Sequence, residues 1–300
     1  MRKGRHGAMA LTGDPPVLSW RSLPRTRLLV LASLGSLALP TLVSVARRYW
    51  STAEGSQGPL VLVTAAWLLW RSRGALAREA APLSRRAWPF ATIPLALLYA
   101  FGRAYGSLPI ETVALYAIGL LTAFIYFGPA TVRRHWFLFA YPAFLIVMPP
   151  SVATMLTQPL RLSISSVSVQ LLHLLGYPVA LSGATIQIAQ YALLVKTACA
   201  GLGSMFTLSA AGLLYVHLRR DRPAGHALAL VLLIIPVAIF ANLARVMILA
   251  LLTWYAGSAV AEGIAHESAG LLMFSIAMGV MFLIDTTLGA AGWLRGRGDG

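Results

Sequence analysis

The single cysteine, Cys199, stands in Thr197-Ala198-Cys199-Ala200-Gly201-Leu202-Gly203-Ser204, at the start of an apolar run. A lone cysteine is most often an inert, small apolar residue. In the first turn of a helix, however, the positive end of the helix dipole favours the thiolate. Gly201 and Gly203 also leave room for a substrate backbone to approach. Arg245 lies inside another apolar run, in Ala241-Asn242-Leu243-Ala244-Arg245-Val246. A guanidinium there is costly and calls for a partner or a water-filled cavity, unless it snorkels or makes a structural pair. Asn242, three residues earlier, shares its helix face. His266 opens a third apolar run in His266-Glu267-Ser268-Ala269-Gly270; by itself it reads equally as an interfacial histidine. A thiol, a basic partner and an imidazole together form a complete set for acyl transfer. Gly201-Leu202-Gly203-Ser204 is not a nucleophile elbow, so serine hydrolase chemistry has no support. One cysteine cannot form an internal disulfide, and no zinc-type Cys/His spacing exists, so neither a metal nor a cofactor is expected. Glu111 and Asp285 have no obvious partner in the sequence.

The elements that must position these residues are membrane spans. Of 300 residues, 58% are hydrophobic and only 11% are charged, and the mean hydropathy is +0.74. Soluble domains carry about a quarter charged residues. Eight candidate spans follow, at roughly 27–46, 57–71, 88–105, 110–130, 135–149, 199–218, 227–254 and 266–288, several of them reaching the ~20 residues that cross a bilayer core. The second and fifth are short, and the fifth carries Pro142 and ends at Pro149-Pro150. The net charge of +15 comes mostly from arginines in short clusters between apolar runs. That pattern suits cytoplasmic flanks and gives no support to nucleic-acid binding. With eight spans and the N-terminus inside, 18 of the 24 basic residues fall on one side. Arg47, Arg48, Arg103, Arg161, Lys196 and Arg245 are the exceptions. Cys199, Arg245 and His266 then all lie towards the outer face.

The expected organisation is a cytoplasmic tail over residues 1–26, a multispan domain over 27–290 and a short cytoplasmic tail over 291–300. The first apolar run resembles a signal peptide, with Ser44-Val45-Ala46 as a cleavage site, but its length favours retention as a span. The longest non-spanning segment, Ser151 to Ala198, falls on the non-cytoplasmic side. Its first half reads as an amphipathic helix. Thr154, Gln158, Arg161, Ser165 and Ser168 lie on one face, and Leu156, Leu160, Val167 and Leu171 on another. Such a helix either rests in the interface or packs over the bundle. From Val179 to Val195 the pattern alternates as in a small β-hairpin, with turns at Gly176-Tyr177-Pro178 and Ser182-Gly183. The fold class is thus an all-α integral membrane protein of about eight transmembrane helices, with a small extracytoplasmic amphipathic helix and a hairpin.

Ala198-Cys199-Ala200-Gly201, then Asn242-Leu243-Ala244-Arg245, then His266 with Gly270, resemble in order and spacing the motifs of the exosortase/archaeosortase family. Tyr49-Trp50, Gly58-Pro59-Leu60 and Trp67-Leu68-Leu69-Trp70-Arg71 resemble that family's first hairpin, and Met148-Pro149-Pro150 also fits. The similarity covers about residues 27–288. Family members often have Ser where Ala200 stands, Arg where Gly203 stands and an acid where Lys196 stands. The resemblance implies a cysteine peptidase or transpeptidase of the bacterial inner membrane, with both termini cytoplasmic and an extracytoplasmic active site. Its substrates would be exported proteins with a C-terminal sorting tail: a signature such as Pro-Glu-Pro, one transmembrane helix and basic residues. Cys199 would attack the peptide carbonyl, Arg245 would stabilise the thiolate or oxyanion, and His266 would move the proton. A lipid or glycan amine, or water, would release the product. The chief rival is a non-enzymatic membrane component of exopolysaccharide assembly, in which Cys199 would tolerate replacement. A small-solute transporter would need broken helices in corresponding halves, and no such symmetry is present.

Overall fold

The computed structural model describes residues 25–52, 55–79, 88–183, 185–188, 191–194, 202–219, 223–257 and 264–296. The chain is mostly helical. In order it forms α1 (Arg25–Arg48), α2 (Gly58–Glu79), α3 (Trp88–Ala104), α4 (Leu108–Arg134) and α5 (Trp136–Ala140). A 3-10 turn (Tyr141–Leu145), α6 (Pro150–Leu174) and strands β1 (Val179–Ser182), β2 (Thr185–Ile188) and β3 (Tyr191–Leu194) follow. The last elements are α7 (Leu202–Leu218), α8 (Ala224–Ala256) and α9 (Ile264–Gly296).

The expectation of eight transmembrane helices is met in part. Among the described residues four helical stretches are long and apolar enough to cross a membrane on their own: Gly58–Glu79, Leu108–Arg134, Ala224–Ala256 and Leu272–Ala290. A fifth arises only if the bent pair Trp136–Leu145 and Pro150–Leu174 counts as one span. Phe90–Ala104 and Met205–Leu218 are shorter apolar helices. The segment expected as the fifth span is not a regular helix, and its prolines explain why. Pro142 and the Pro149-Pro150 pair remove backbone donors and clash with helical geometry. The chain therefore passes through a short helix and a tighter 3-10 turn before bending by 93° into α6. It still travels far. His135 Nε2 lies 3.2 Å from Glu79 Oε2 at one end, and the Val147 amide donates to Thr112 Oγ1 at 3.1 Å at the other. α4 itself breaks at Gly128, whose φ of 81° is open to glycine and which precedes Pro129.

α6 forms where the amphipathic helix was expected, and it packs over α8. Ser165, Ser168 and Thr157 are buried, whereas Leu156 and Val167, with Met155 and Leu174 beside them, are exposed. Thr154 and Gln158, grouped with the buried serines in the sequence, remain exposed at the helix start. The buried side of α6 thus mixes Ser165 and Ser168 with Ile164, Val169 and Leu172, while large apolar residues such as Met155 and Leu156 face outward. Such an apolar exterior suits lipid as the outer solvent.

Where a hairpin was expected, three antiparallel strands form a sheet in the order β1-β2-β3, with Val179 opposite Ile188 and Thr185 opposite Leu194. Ile186 and Ile188 are fully buried while Gln187 is exposed, so the period-two alternation drives one face inward. That face packs with Ile164, Val169 and Leu172 of α6 and Val246, Leu249 and Ala250 of α8 into one apolar cluster. The sheet and α6 thereby cap the C-terminal half of α8.

Candidate active site

α7, α8 and α9 pack together as an antiparallel group, and a buried carboxylate fixes their relative direction. Asp285 of α9 is fully buried. It accepts a hydrogen bond from Tyr215 Oη at 2.6 Å, lies 2.6 Å from His226 Nε2 and pairs with Arg219 Nη2 at 3.0 Å. These partners stand at the end of α7 and the start of α8. The same end of the group therefore gathers the C-terminus of α7, the N-terminus of α8 and the C-terminal half of α9. The start of α7, the second half of α8 and the start of α9 point the other way. Asp285 is thus a tie between helices, contrary to the expectation that it lacks a partner.

Glu111 is corrected in the same manner. Its carboxylate is buried at the start of α4, accepts from Thr41 Oγ1 of α1 at 2.7 Å and pairs with Arg103 Nη1 of α3 at 2.7 Å. Tyr99 Oη lies 2.9 Å from Thr41 Oγ1, which extends the network across three helices.

Arg245 and Asn242 lie in the second half of α8, away from the Asp285 tie. They are 8% and 2% exposed. One helical turn apart, they line one cleft with Leu208 of α7 and Met273, Phe274 and Ala277 of α9. The free space in the cleft is about 20 Å³, room for about one water molecule. Its other walls are apolar, so the guanidinium and the carboxamide are its polar features. Both amide atoms of Asn242 lack a hydrogen-bond partner among the described residues. An unsatisfied buried amide costs roughly 1–3 kcal/mol.

The three expected site residues fare differently. Arg245 is buried in the cleft. His266 occupies the first turn of α9, seven residues before Met273, about 10 Å along the helix at 1.5 Å per residue. Its side chain lies outside the described residues, as do Cys199 and Lys196 entirely. α7 begins at Leu202, three residues after Cys199. Arg245 and the first turn of α9 lie towards the end of the group opposite Asp285, and α7 starts at that same end. Contact between the three expected residues lies beyond the described residues.

Sequence reasoning underrated one polar set. Arg161, Ser165 and Ser168 of α6 recur on one face, and Arg161 Nε and both hydroxyls are buried without a hydrogen-bond partner among the described residues. The spacing was visible in the sequence, but the direction of the face was not. No group of three or more His, Cys, Asp or Glu able to hold a metal occurs among the described residues.

Taken together, these features define a polytopic helical membrane protein with a polar pair buried in an interhelical cleft. A sequence model of the transmembrane exosortases matches residues 49–283, most of the chain, and the protein belongs to that family. No curated protein and no solved structure gives a significant match.

Proposed function

We propose that the protein is a membrane cysteine transpeptidase that cleaves the C-terminal sorting tails of exported proteins. The observation that carries this reading is the burial of Arg245 beside the unsatisfied Asn242 amide in the α7–α8–α9 cleft. Cys199 is the proposed nucleophile. Its sulfur attacks a peptide carbonyl in the tail, the carbonyl oxygen becomes an oxyanion, and collapse breaks the C–N bond to leave a thioester. Arg245 supplies fixed positive charge for the thiolate or the oxyanion, at a site where low dielectric strengthens it. His266 protonates the departing amine, then takes a proton from the second nucleophile. An amine of a lipid or glycan, or water, attacks the thioester and returns the thiol. The chain sits in the bacterial inner membrane with both termini cytoplasmic and the cleft opening extracytoplasmically. Its proposed partners are tailed exported proteins and membrane lipid, with the exopolysaccharide machinery as the partner in the rival, non-catalytic reading.

The test compares envelope proteins from a native strain and a Cys199→Ala strain expressing equal amounts of the protein, by intact mass and C-terminal peptide analysis. Tailed proteins are expected to be trimmed in the native strain and to keep their tails in the mutant. Added mass on the native products identifies the acceptor. Identical C-termini in both strains would overturn the enzymatic reading in favour of a non-catalytic role in exopolysaccharide assembly.

A further inference from the structure

Three arginines from two helices converge at one place. Arg47 and Arg48 end α1, and Arg103 lies in the last turn of α3. All three line a groove of about 450 Å³, whose wall is built from Leu39, Pro40 and Val43 of α1. That volume falls within the range of small-molecule sites. Arg103 Nη1 is held by Glu111 at 2.7 Å and by Ser44 Oγ at 3.3 Å. A guanidinium has five N–H donors, so these contacts leave others available to a ligand. Glu111 is buried beneath Arg103 and does not cover the groove mouth. Arg47 and Arg48 are exposed and take part in no ion pair among the described residues. The negative end of the α1 dipole accounts for cations at Arg47 and Arg48. It does not account for a third arginine brought to them from α3 and oriented by a buried acid.

The wall and the mouth differ in chemistry. Leu39 and Val43 are exposed and apolar, and they lead along α1 towards the arginines at its end. An occupant that satisfies both carries an anionic oxygen cluster at one end and hydrocarbon at the other. We infer that this groove binds an anionic glycerophospholipid, with the phosphate between Arg47, Arg48 and Arg103 and an acyl chain along Leu39, Pro40 and Val43. Arginine suits phosphate because its fork of donors matches two phosphate oxygens at once. This inference does not depend on the proposed peptidase activity.

The test uses the full chain purified in neutral detergent and titrated with dioctanoyl phosphatidylglycerol, read by native mass spectrometry. Arg47→Gln/Arg48→Gln is the main variant, because neither side chain has an internal ion-pair partner to lose. The native protein is expected to hold one lipid, and the double variant to bind it about thirtyfold more weakly, as two basic contacts to an anionic lipid imply. Val43→Trp, which fills the wall without changing charge, is expected to weaken binding as well. Arg71→Gln/Arg73→Gln, at residues that stack over Trp67 and Trp70, is expected to bind as the native protein does. Equal affinity of the Arg47/Arg48 variant and the native protein would overturn the inference, as would equal loss in the Arg71/Arg73 control. Displacement of the lipid by millimolar inorganic phosphate would assign the groove to free phosphate instead and overturn the lipid reading.

Discussion

Replacing Asp285 by asparagine is expected to lower stability by about 2–4 kcal/mol, and the structure shows how that figure arises. One carboxylate oxygen faces His226 and the other faces both Tyr215 and Arg219. In Asp285→Asn one of these oxygens becomes an NH2 group. If it replaces the first oxygen, the His226 contact turns from attraction to donor against donor when the imidazole Nε2 is protonated. If it replaces the second, Tyr215 and Arg219 both lose an acceptor. In either case the arginine loses its counter-charge. A hydrogen bond to a charged group contributes about 1.5–3 kcal/mol in soluble proteins, whereas interhelical bonds in membranes average about 0.6 kcal/mol. The Arg219 side chain is 34% exposed, so its share is reduced by solvent. The assay is reversible unfolding in mixed micelles driven by increasing sodium dodecyl sulfate and followed by circular dichroism. Pairing Asp285→Asn with His226→Ala in a double-mutant cycle isolates their interaction, expected at about 1 kcal/mol. A loss below about 0.5 kcal/mol for Asp285→Asn, or strict additivity in the cycle, would refute the tie. The proposed tail cleavage is expected to be unaffected in the folded fraction, since the carboxylate lies eight residues beyond Ala277, about 12 Å along α9 from the cleft.

Two further substitutions probe packing and polarity. A Cβ added at Gly102 would stand 2.7 Å from the Glu111 backbone nitrogen, so Gly102→Ala must push α3 from α4 and is expected to cost about 1–3 kcal/mol in the same unfolding assay. Ser165→Ala and Ser168→Ala remove buried hydroxyls that have no partner among the described residues, so stability should stay within about 0.5 kcal/mol of native or rise; a loss above about 1 kcal/mol would show that these hydroxyls are bonded in the folded protein.

Much of this architecture was legible in local sequence signals. The apolar runs announced membrane helices, and the alternation of Thr185-Ile186-Gln187-Ile188 announced a strand with one buried face. The three-residue step from Asn242 to Arg245 placed both on one face of a long helix, where they now line one cleft. What stayed hidden depended on the surroundings. Periodicity shows that α6 has two faces, but which residues turn inward depends on whether water or lipid is outside. The ties to Asp285 were invisible because Tyr215 and His226 lie 70 and 59 positions away, and no local pattern links such partners. The segment from Trp136 to Leu145 looked like a short span because composition counts apolar residues. Backbone geometry at prolines then decided that it would not be a regular helix. The ordered motifs around Cys199, Arg245 and His266 pointed to the family from sequence alone, while only Arg245 among the three has a described side-chain setting.

The Asp285 tie has a mechanical consequence. Three helices joined by a polar knot near one end and by apolar packing elsewhere form a lever whose displacement grows with distance from the knot. Apolar side chains slide past one another more readily than a buried ion pair separates. The first residue of α9 lies 21 positions from Asp285, about 31 Å along the helix. A rotation of about 5° at the knot would therefore shift the backbone by about 1 Å at Ala277 and nearly 3 Å at the start of α9. Movement at the end opposite Asp285 would then need no rupture of the charged contacts around Asp285.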